Sequence, residues 1–335
     1  MDKKWWAVNM MVYLSNTLKQ KWNNVTMYTF SHNQKMFNTD FDVKCFGFFK
    51  TAYSIRNSDY IFIWNSPMHF VWVLSKVLFF SKAKLIWWHH HYPWYYSKNT
   101  NVYIWIKKIL EKLSINFIDL LLSNSQYLQS NLKTIYKKKV LVLNPVVEEE
   151  FQKHKQKTIN KSSPIIFSYA RWTTWKNLKQ VLDTYLYVKK YIPSVQLLIW
   201  GVGDDQVYFQ NKFKSDTDIK FLWLLDKKSI IENLEKSSVF LFSSTIDSFG
   251  MTMIESLSLW VPVIAFDVNA SNEIVVSWQN WFLVKSPSEF MSKTLSILQS
   301  DELLDKFSKN SVCITDRYWS QNFDKQLKDI FYSLQ

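Results

Sequence analysis

The chain has 335 residues, 47% hydrophobic and 21% charged, which excludes an intrinsically disordered chain and allows two domains of ordinary size. No apolar run reaches the roughly 18–20 residues of a membrane span, the longest, around Phe70–Phe80, being broken by Ser75 and Lys76. The net charge of +13 is uneven: residues 1–150 carry 19 Lys and Arg against 9 Asp and Glu, and residues 151–335 carry 22 against 19. A basic half suits nucleic acid, anionic lipid or a phosphorylated acceptor. Without a zinc-finger, helix-turn-helix or RNA-binding motif, no nucleic acid is expected, and a lipid or lipid-phosphate partner ranks first; a generally Lys-rich sequence is the bland alternative. Nothing at the N-terminus reads as a signal peptide. Cys45 and Cys313 lie far apart without metal-ligand spacing, so the expected setting is reducing and cytoplasmic, at the inner face of a membrane if the basic half meets lipid.

The spacing of Val8, Met11, Val12, Leu14 and Leu18 predicts an opening helix, followed by a strand at VTMYTF. Strands are expected at VKCFGF, YIFIWN, KLIWWHH and VLVLNPV, and helices around Met68–Phe79 and Val102–Leu113. This alternation implies a parallel, doubly wound α/β sheet with ligands at the carboxyl ends of its strands. The helix IWIKKILEKLSINF sets Lys107, Lys108 and Lys112 beside apolar Ile104, Ile109 and Leu113. It suits a membrane surface, although an ordinary solvated helix face gives the same pattern. His89, His90 and His91 follow a strand directly; consecutive side chains alternate sides, so three of them do not share a metal and zinc is not expected. Ser125 is placed as an N-cap, and the polar stretch His154–Ser163 as a linker.

In the second half, PIIFSYARWTTWKNLKQVLDTYLYV reads as strand, loop and helix, with Arg171 and Lys176 in the loop. VQLLIWGVGDD adds a strand and a Gly201–Gly203 turn, with Asp204 and Asp205 read as a solvated turn. The stretch VFLFSSTIDSFGMTMIESLSLWVPVIAF is a strand, helix, strand unit. Asp247 precedes its helix and Glu255 lies about two turns in, while Phe249, Gly250, Met251 and Thr252 would turn backbone N–H groups to an anion at the positive helix end.

The run DSFGMTMIESLSLWVPVIAF followed by NEIV resembles the Glu-x7-Glu motif of the family 4 glycosyltransferases, EGFGxxxxEAMAxGxPVxA followed by EIV. It departs at Asp247, a shorter acid, and at Trp260, where the family has Gly. YARWTTWKN is similar to the family's YxGRLxxxKN and keeps the spacing of Arg171 and Lys176. The resemblance implies the GT-B fold: two Rossmann-like doubly wound domains facing a cleft, at 1–150 and 160–317, with the first strand of the first domain missing. It also implies a final helix, 318–335, that can cross back to the first domain. The implied activity is transfer of a sugar, with retention, from a nucleotide-sugar donor to a glycan or lipid-linked acceptor. No metal or other cofactor is implied. By resemblance, Glu255 binds the ribose hydroxyls, Asp247 and the 249–252 amides the sugar and phosphate, and Arg171 with Lys176 the diphosphate. A His near the donor sugar is favoured at His91, with His90 or His89 open. Two other activities fit the same fold: a non-catalytic glycan- or membrane-binding protein, and a nucleotide-sugar isomerase.

Glycine is scarce, four residues where typical usage of ~7% gives about twenty-three, and tryptophan is abundant at seventeen. Trp5, Trp6, Trp22, Trp223, Trp260 and Trp281 fall where the resembled family has Gly. Backbone with positive φ, or pressed against phosphate, accepts glycine and rejects an indole. We read these positions as UGA codons that the source organism translates as glycine. The rival reading is genuine tryptophan anchoring the protein at a membrane interface.

Overall fold

The structure, a computed structural model, describes residues 5–21, 24–29, 42–45, 53, 55–64, 68–90, 102–152, 163–203, 206–222, 226–275 and 281–334. His91, Trp22, Trp223, Asp204 and Asp205 lie outside them, as do residues 154–162 of the expected linker. The chain forms two compact units, residues 1–145 with 324–335, and residues 146–323.

The first unit holds α1 (Trp5–Lys21), β1 (Thr26–Thr29) and β2 (Asp42–Cys45), the two strands forming a parallel pair. Then come β3 (Tyr60–Ile63), α2 (Met68–Leu78), β4 (Lys84–His89), α3 (Val102–Ser114), β5 (Leu120–Ser123), α4 (Gln126–Tyr136) and β6 (Val140–Val142). Strands β3 to β6 make a parallel sheet in chain order. Its strands are nearly continuous apolar runs because both faces are covered. Leu85, Leu121, Leu128 and Leu132 are fully buried among them. Ser125 caps α4, its Oγ accepting the Leu128 N–H at 3.1 Å.

The second unit begins earlier than the expected 160. α5 (Glu149–Gln152) belongs to it, because Phe151 is buried in its core and the Val147 N–H donates to the Tyr318 carbonyl at 2.9 Å. It continues through β7 (Ile165–Tyr169), α6 (Leu178–Lys189), β8 (Gln196–Trp200), α7 (Gln206–Lys212), β9 (Ile219–Leu222), α8 (Lys227–Lys236) and β10 (Val239–Phe242). α9 (Met251–Ser258), β11 (Val263–Phe266), α10 (Ser271–Ile274), β12 (Trp281–Val284), α11 (Pro287–Gln299) and α12 (Asp301–Ser311) complete it. The six strands run parallel in the order β12-β11-β10-β7-β8-β9. Helices cover both faces, as the two cores show: Leu234, Met253 and Leu257 lie in one, Val181, Tyr185 and Phe290 in the other. The spacing of Leu178, Val181, Leu182, Tyr185 and Val188 gives α6 its buried stripe.

α13 (Ser320–Tyr332) starts in the second unit, and from residue 324 onward it belongs to the first. There Phe331 packs edge-on against Tyr60 with ring centroids 4.9 Å apart. Gln326 and Asn144 exchange two hydrogen bonds, at 2.9 and 3.1 Å.

Trp260 follows the end of α9 with φ 65°. The Val261 N–H reaches back to the Ser256 carbonyl at 3.1 Å and the Trp260 N–H to that of Leu257 at 2.9 Å. These two bonds define a Schellman motif with Trp260 at the left-handed position that strongly favours glycine. The conformation costs a side-chain-bearing residue about 1–2 kcal/mol. Trp260→Gly is therefore expected to stabilise the protein by about 1 kcal/mol in denaturant titration. Trp260→Ala, which removes the indole and keeps Cβ, is expected to gain nothing. A less stable glycine variant would contradict the reading of this position as glycine.

Candidate active site

In the second unit the strand order reverses between β7 and β10: the chain leaves β7 toward β8 on one side, and later enters β10 on the other. Open parallel sheets bind ligands outside the carboxyl ends of their strands at such a reversal. The loops after β7 and β10 carry Arg171 with Lys176, and Asp247 with Gly250, respectively. The register pairs Val239 with Ile166 and Phe240 with Phe167, so both loops leave the sheet side by side.

Several bonds join them. The Ser243 Oγ donates to the Lys176 carbonyl at 2.8 Å, and the Thr245 N–H to the Trp175 carbonyl at 2.8 Å. Lys176 Nζ forms an ion pair with Asp247 Oδ2 and sits 5.7 Å from the centre of the Phe242 ring. Both side chains of the pair are about one-fifth exposed, 18% and 20%. The other carboxylate oxygen, Oδ1, accepts the Phe249 N–H at 3.3 Å. Phe249 thus differs from the sequence expectation: its amide is turned to Asp247, and its ring is buried against Tyr318 at 5.3 Å. Gly250, at φ 102°, is the residue that starts α9, and the next amides, Met251 and Thr252, have no carbonyl one turn back within the helix.

On the other side of β7, the Ala170 N–H donates to the Trp200 carbonyl at 3.1 Å and the Trp172 N–H to that of Val202 at 3.0 Å. A Cβ on Gly201 or Gly203 would collide with the Ala170 or Trp172 backbone, so this close approach explains both glycines. The loop bearing Arg171 is therefore held from two sides, and Arg171 itself is exposed.

Glu255 lies one turn into α9, where its Oε2 accepts the hydroxyl of Tyr169, the last residue of β7. Burial pushes the Glu255 carboxyl up to about 7; the Tyr169 hydrogen bond opposes this, Glu148 adds to it, and Lys227 opposes it. Burial, and then the neighbouring Glu255, raise the Tyr169 hydroxyl well above its ordinary value. Lys227 pairs with Glu148, and with Glu150 at 2.9 Å. Sequence reasoning missed Tyr169, Ser243, Glu148 and Lys227. The signal present was the polar end of IIFSY and the hydroxyl pair closing VFLFSS.

Of the histidines, His89 ends β4 in the first unit and His90 follows it, both buried among rings: His90 stacks on Trp64 at 3.8 Å, and His89 lies 3.9 Å from Trp87.

Residues 149–312 match the sequence profile of the family described as Glycosyl transferases group 1. The second unit is similar to glycosyl transferases. Trehalose synthase of Thermococcus litoralis is 30% identical over 209 residues, covering 56% of this chain and 50% of that protein. Alpha-monoglucosyldiacylglycerol synthase of Acholeplasma laidlawii is 23% identical over 211 residues, 61% of this chain and 51% of that one. The chain thus spans about half the length of the curated relatives it matches. Among solved structures, Anabaena Alr3699/HepE in complex with UDP superposes with a TM-score of 0.78 at 15% identity, over 99% of this chain and 98% of that one. That likeness shows the fold, the GT-B type with two parallel-sheet, Rossmann-like units.

The Glu255 carboxyl sets a dependence on pH. The folded protein keeps a proton there that the unfolded chain releases from the ordinary 4.5 upward, until about 7. This contribution to stability is complete below the lower value and is lost as pH rises through the upper one. Glu255→Gln stays neutral throughout, so relative to wild type it should gain roughly 2 kcal/mol in urea unfolding between about pH 5 and about pH 8. An unchanged difference between the two proteins at those pH values would contradict the assignment.

Proposed function

We propose that the chain transfers a sugar from a nucleotide-sugar donor to a hydroxyl acceptor, with retention of anomeric configuration. One observation carries the proposal: Lys176, Asp247 and Glu255 gather at the carboxyl ends of β7 and β10, on either side of the reversal in the strand order. The profile match over the same residues supports it.

In this reading the nucleoside diphosphate lies across the start of α9, with Glu255 accepting the ribose hydroxyls. Arg171, Lys176 and the amides at Gly250, Met251 and Thr252 face the diphosphate. Negative charge grows there as the bond from the anomeric carbon to the phosphate oxygen breaks. A cation already held by Asp247 over the Phe242 ring needs little reorganisation to meet it, so its effect falls on the transition state. Asp247 spends one lone pair on Lys176 and one on Phe249, and a carboxylate has about four to give, which leaves acceptor capacity for sugar hydroxyls. The new bond forms between the anomeric carbon and the acceptor oxygen, whose proton passes to the departing phosphate. No side chain is required as a nucleophile, and no metal is invoked. His91 is proposed as a contact to the sugar, and a glycan or lipid-linked glycan as the acceptor. UDP-sugars are the first donors to test, because Alr3699/HepE shares the fold and its structures hold UDP and UDP-glucose; GDP-sugars follow.

Lys176→Ala is expected to lower turnover by about 10²–10³-fold, the usual effect of deleting one donor to developing charge. Its unfolding midpoint should stay close to wild type, since the lost ion pair is partly exposed. Assay with UDP- and GDP-sugars, with and without acceptor, checks this; near-normal turnover by the variant would remove Lys176 from the diphosphate site. Uptake of no nucleotide sugar by the wild-type protein would overturn the proposal itself.

A further inference from the structure

Helix α3 is built inside out. Its inward face carries Glu111 and Ser114, 2% and 1% exposed, with Glu111 accepting the Tyr136 hydroxyl. Its outward face carries Val102, Trp105, Ile106, Ile109 and Leu113, and Phe117 continues the line in the turn that follows, all of them exposed. At about 100° per residue the helical positions fall in one stripe some 100° wide, with Lys112 along one border and Lys108 farther round on the same side. A helix serving only the core of its unit would show the reverse arrangement. The stripe does not depend on Trp105, since Val102, Ile106, Ile109 and Leu113 maintain it alone.

A second group of exposed apolar residues lies at the end of α2. Val77 and Leu78 close that helix, and Phe80, 92% exposed, follows at φ 47°, a left-handed position that a bulky residue adopts only at a cost. Helices α2 and α3 pack against each other, and each links neighbouring parallel strands of one sheet. Both therefore end at the amino edge of that sheet, opposite the edge where such sheets bind ligands. Phe80, Leu113 and Phe117 share this edge.

The charge distribution identifies what covers the surface. The first unit, residues 1–145 and 324–335, holds 21 Lys and Arg against 8 Asp and Glu, and the second unit holds 20 against 20. The entire +13 of the chain thus lies on the unit that bears the apolar stripe. A second copy of the same unit would bring like charge against like, whereas an anionic bilayer neutralises the unit's lysines and takes up the stripe beside Lys108 and Lys112. We propose that the outer face of α3, with the end of α2, seats the first unit on the surface of an anionic lipid bilayer, the stripe entering the headgroup boundary in the membrane plane. No helix among the described residues is long and apolar enough to cross a membrane, so the contact is interfacial.

The test is co-sedimentation of the full chain with vesicles of phosphatidylcholine alone or of phosphatidylcholine mixed with phosphatidylglycerol, without any sugar donor, so its outcome is independent of the proposed transfer. Wild type should bind the mixed vesicles at least about tenfold better than the neutral ones, less so as salt rises. Ile106→Asp with Ile109→Asp should weaken that binding by about tenfold or more. Lys108→Glu with Lys112→Glu should weaken it by roughly fivefold or more per lysine while leaving neutral-vesicle binding unchanged. Ile106, Ile109 and Lys112 are exposed and Lys108 is half-buried, so circular dichroism of both variants should match wild type. Should the aspartate variant misfold, the charge variant, which removes no apolar area, decides alone. Failure of wild type to bind the mixed vesicles, wild-type binding by both variants, or a dimer in sedimentation velocity that the aspartate variant dissolves would each overturn the proposal.

Discussion

The parallel pairing of β7 with β10 is the constraint on which the second unit turns. Their register is fixed by buried apolar side chains on both faces, so a one-residue slip would move Phe167 or Phe240 into the core on the other face, against side chains shaped for Ile166 and Val239. Once the two strands are aligned, the loops leaving them have little freedom. Ser243 and Thr245 hold the turn at 174–176, and the glycine approach from β8 holds its other side. The Lys176–Asp247 contact is thus a product of sheet geometry; partly exposed charges of this kind contribute little to stability by themselves. What the contact fixes is orientation, a cation held at the carboxyl end of the sheet.

Beneath that pair, Glu255 is set among groups of opposing effect. Burial disfavours its charged form, while Tyr169 and Lys227 favour it, and the carboxyl consequently titrates near neutrality. A carboxylate poised in this way accepts hydroxyl hydrogen bonds readily above its pKa and poorly below it, and the one it accepts here comes from the Tyr169 hydroxyl. Lys227 heads α8 and Glu148 precedes α5, which brings the start and the middle of the unit to bear on one side chain.

Much of the second unit was legible in its sequence because parallel strands buried on both faces are short continuous apolar runs, and VFLF, IIFSY and VIAF are of that kind. The N-cap at Ser125 and the helix after Gly250 were legible for local reasons, a hydroxyl and a flexible residue at the boundary. The partnership of Lys176 with Asp247 was not, because the two stand 71 positions apart and meet only through the strand register. Tyr169 reads in the sequence only as the end of a strand; the fold shows its hydroxyl reaching α9. The boundary between the units was misplaced because Val147 and Phe151 look like the tail of one domain and pack as the head of the next. For α3, periodicity revealed an apolar face without saying which way it points: an amphipathic pattern reads the same whether the sheet lies under the oily side or under the charged one.

The return of residues 324–335 to the first unit makes the second unit, in chain terms, an insertion between Pro145 and Asp324. During synthesis, every strand and helix of the inserted unit has emerged before Phe331 can meet Tyr60. The first unit is accordingly completed after the second, and until then the side of β3 that receives Phe331 is unfinished. A chain stalled before residue 324 would hold every strand of the second unit and a first unit without its closing helix.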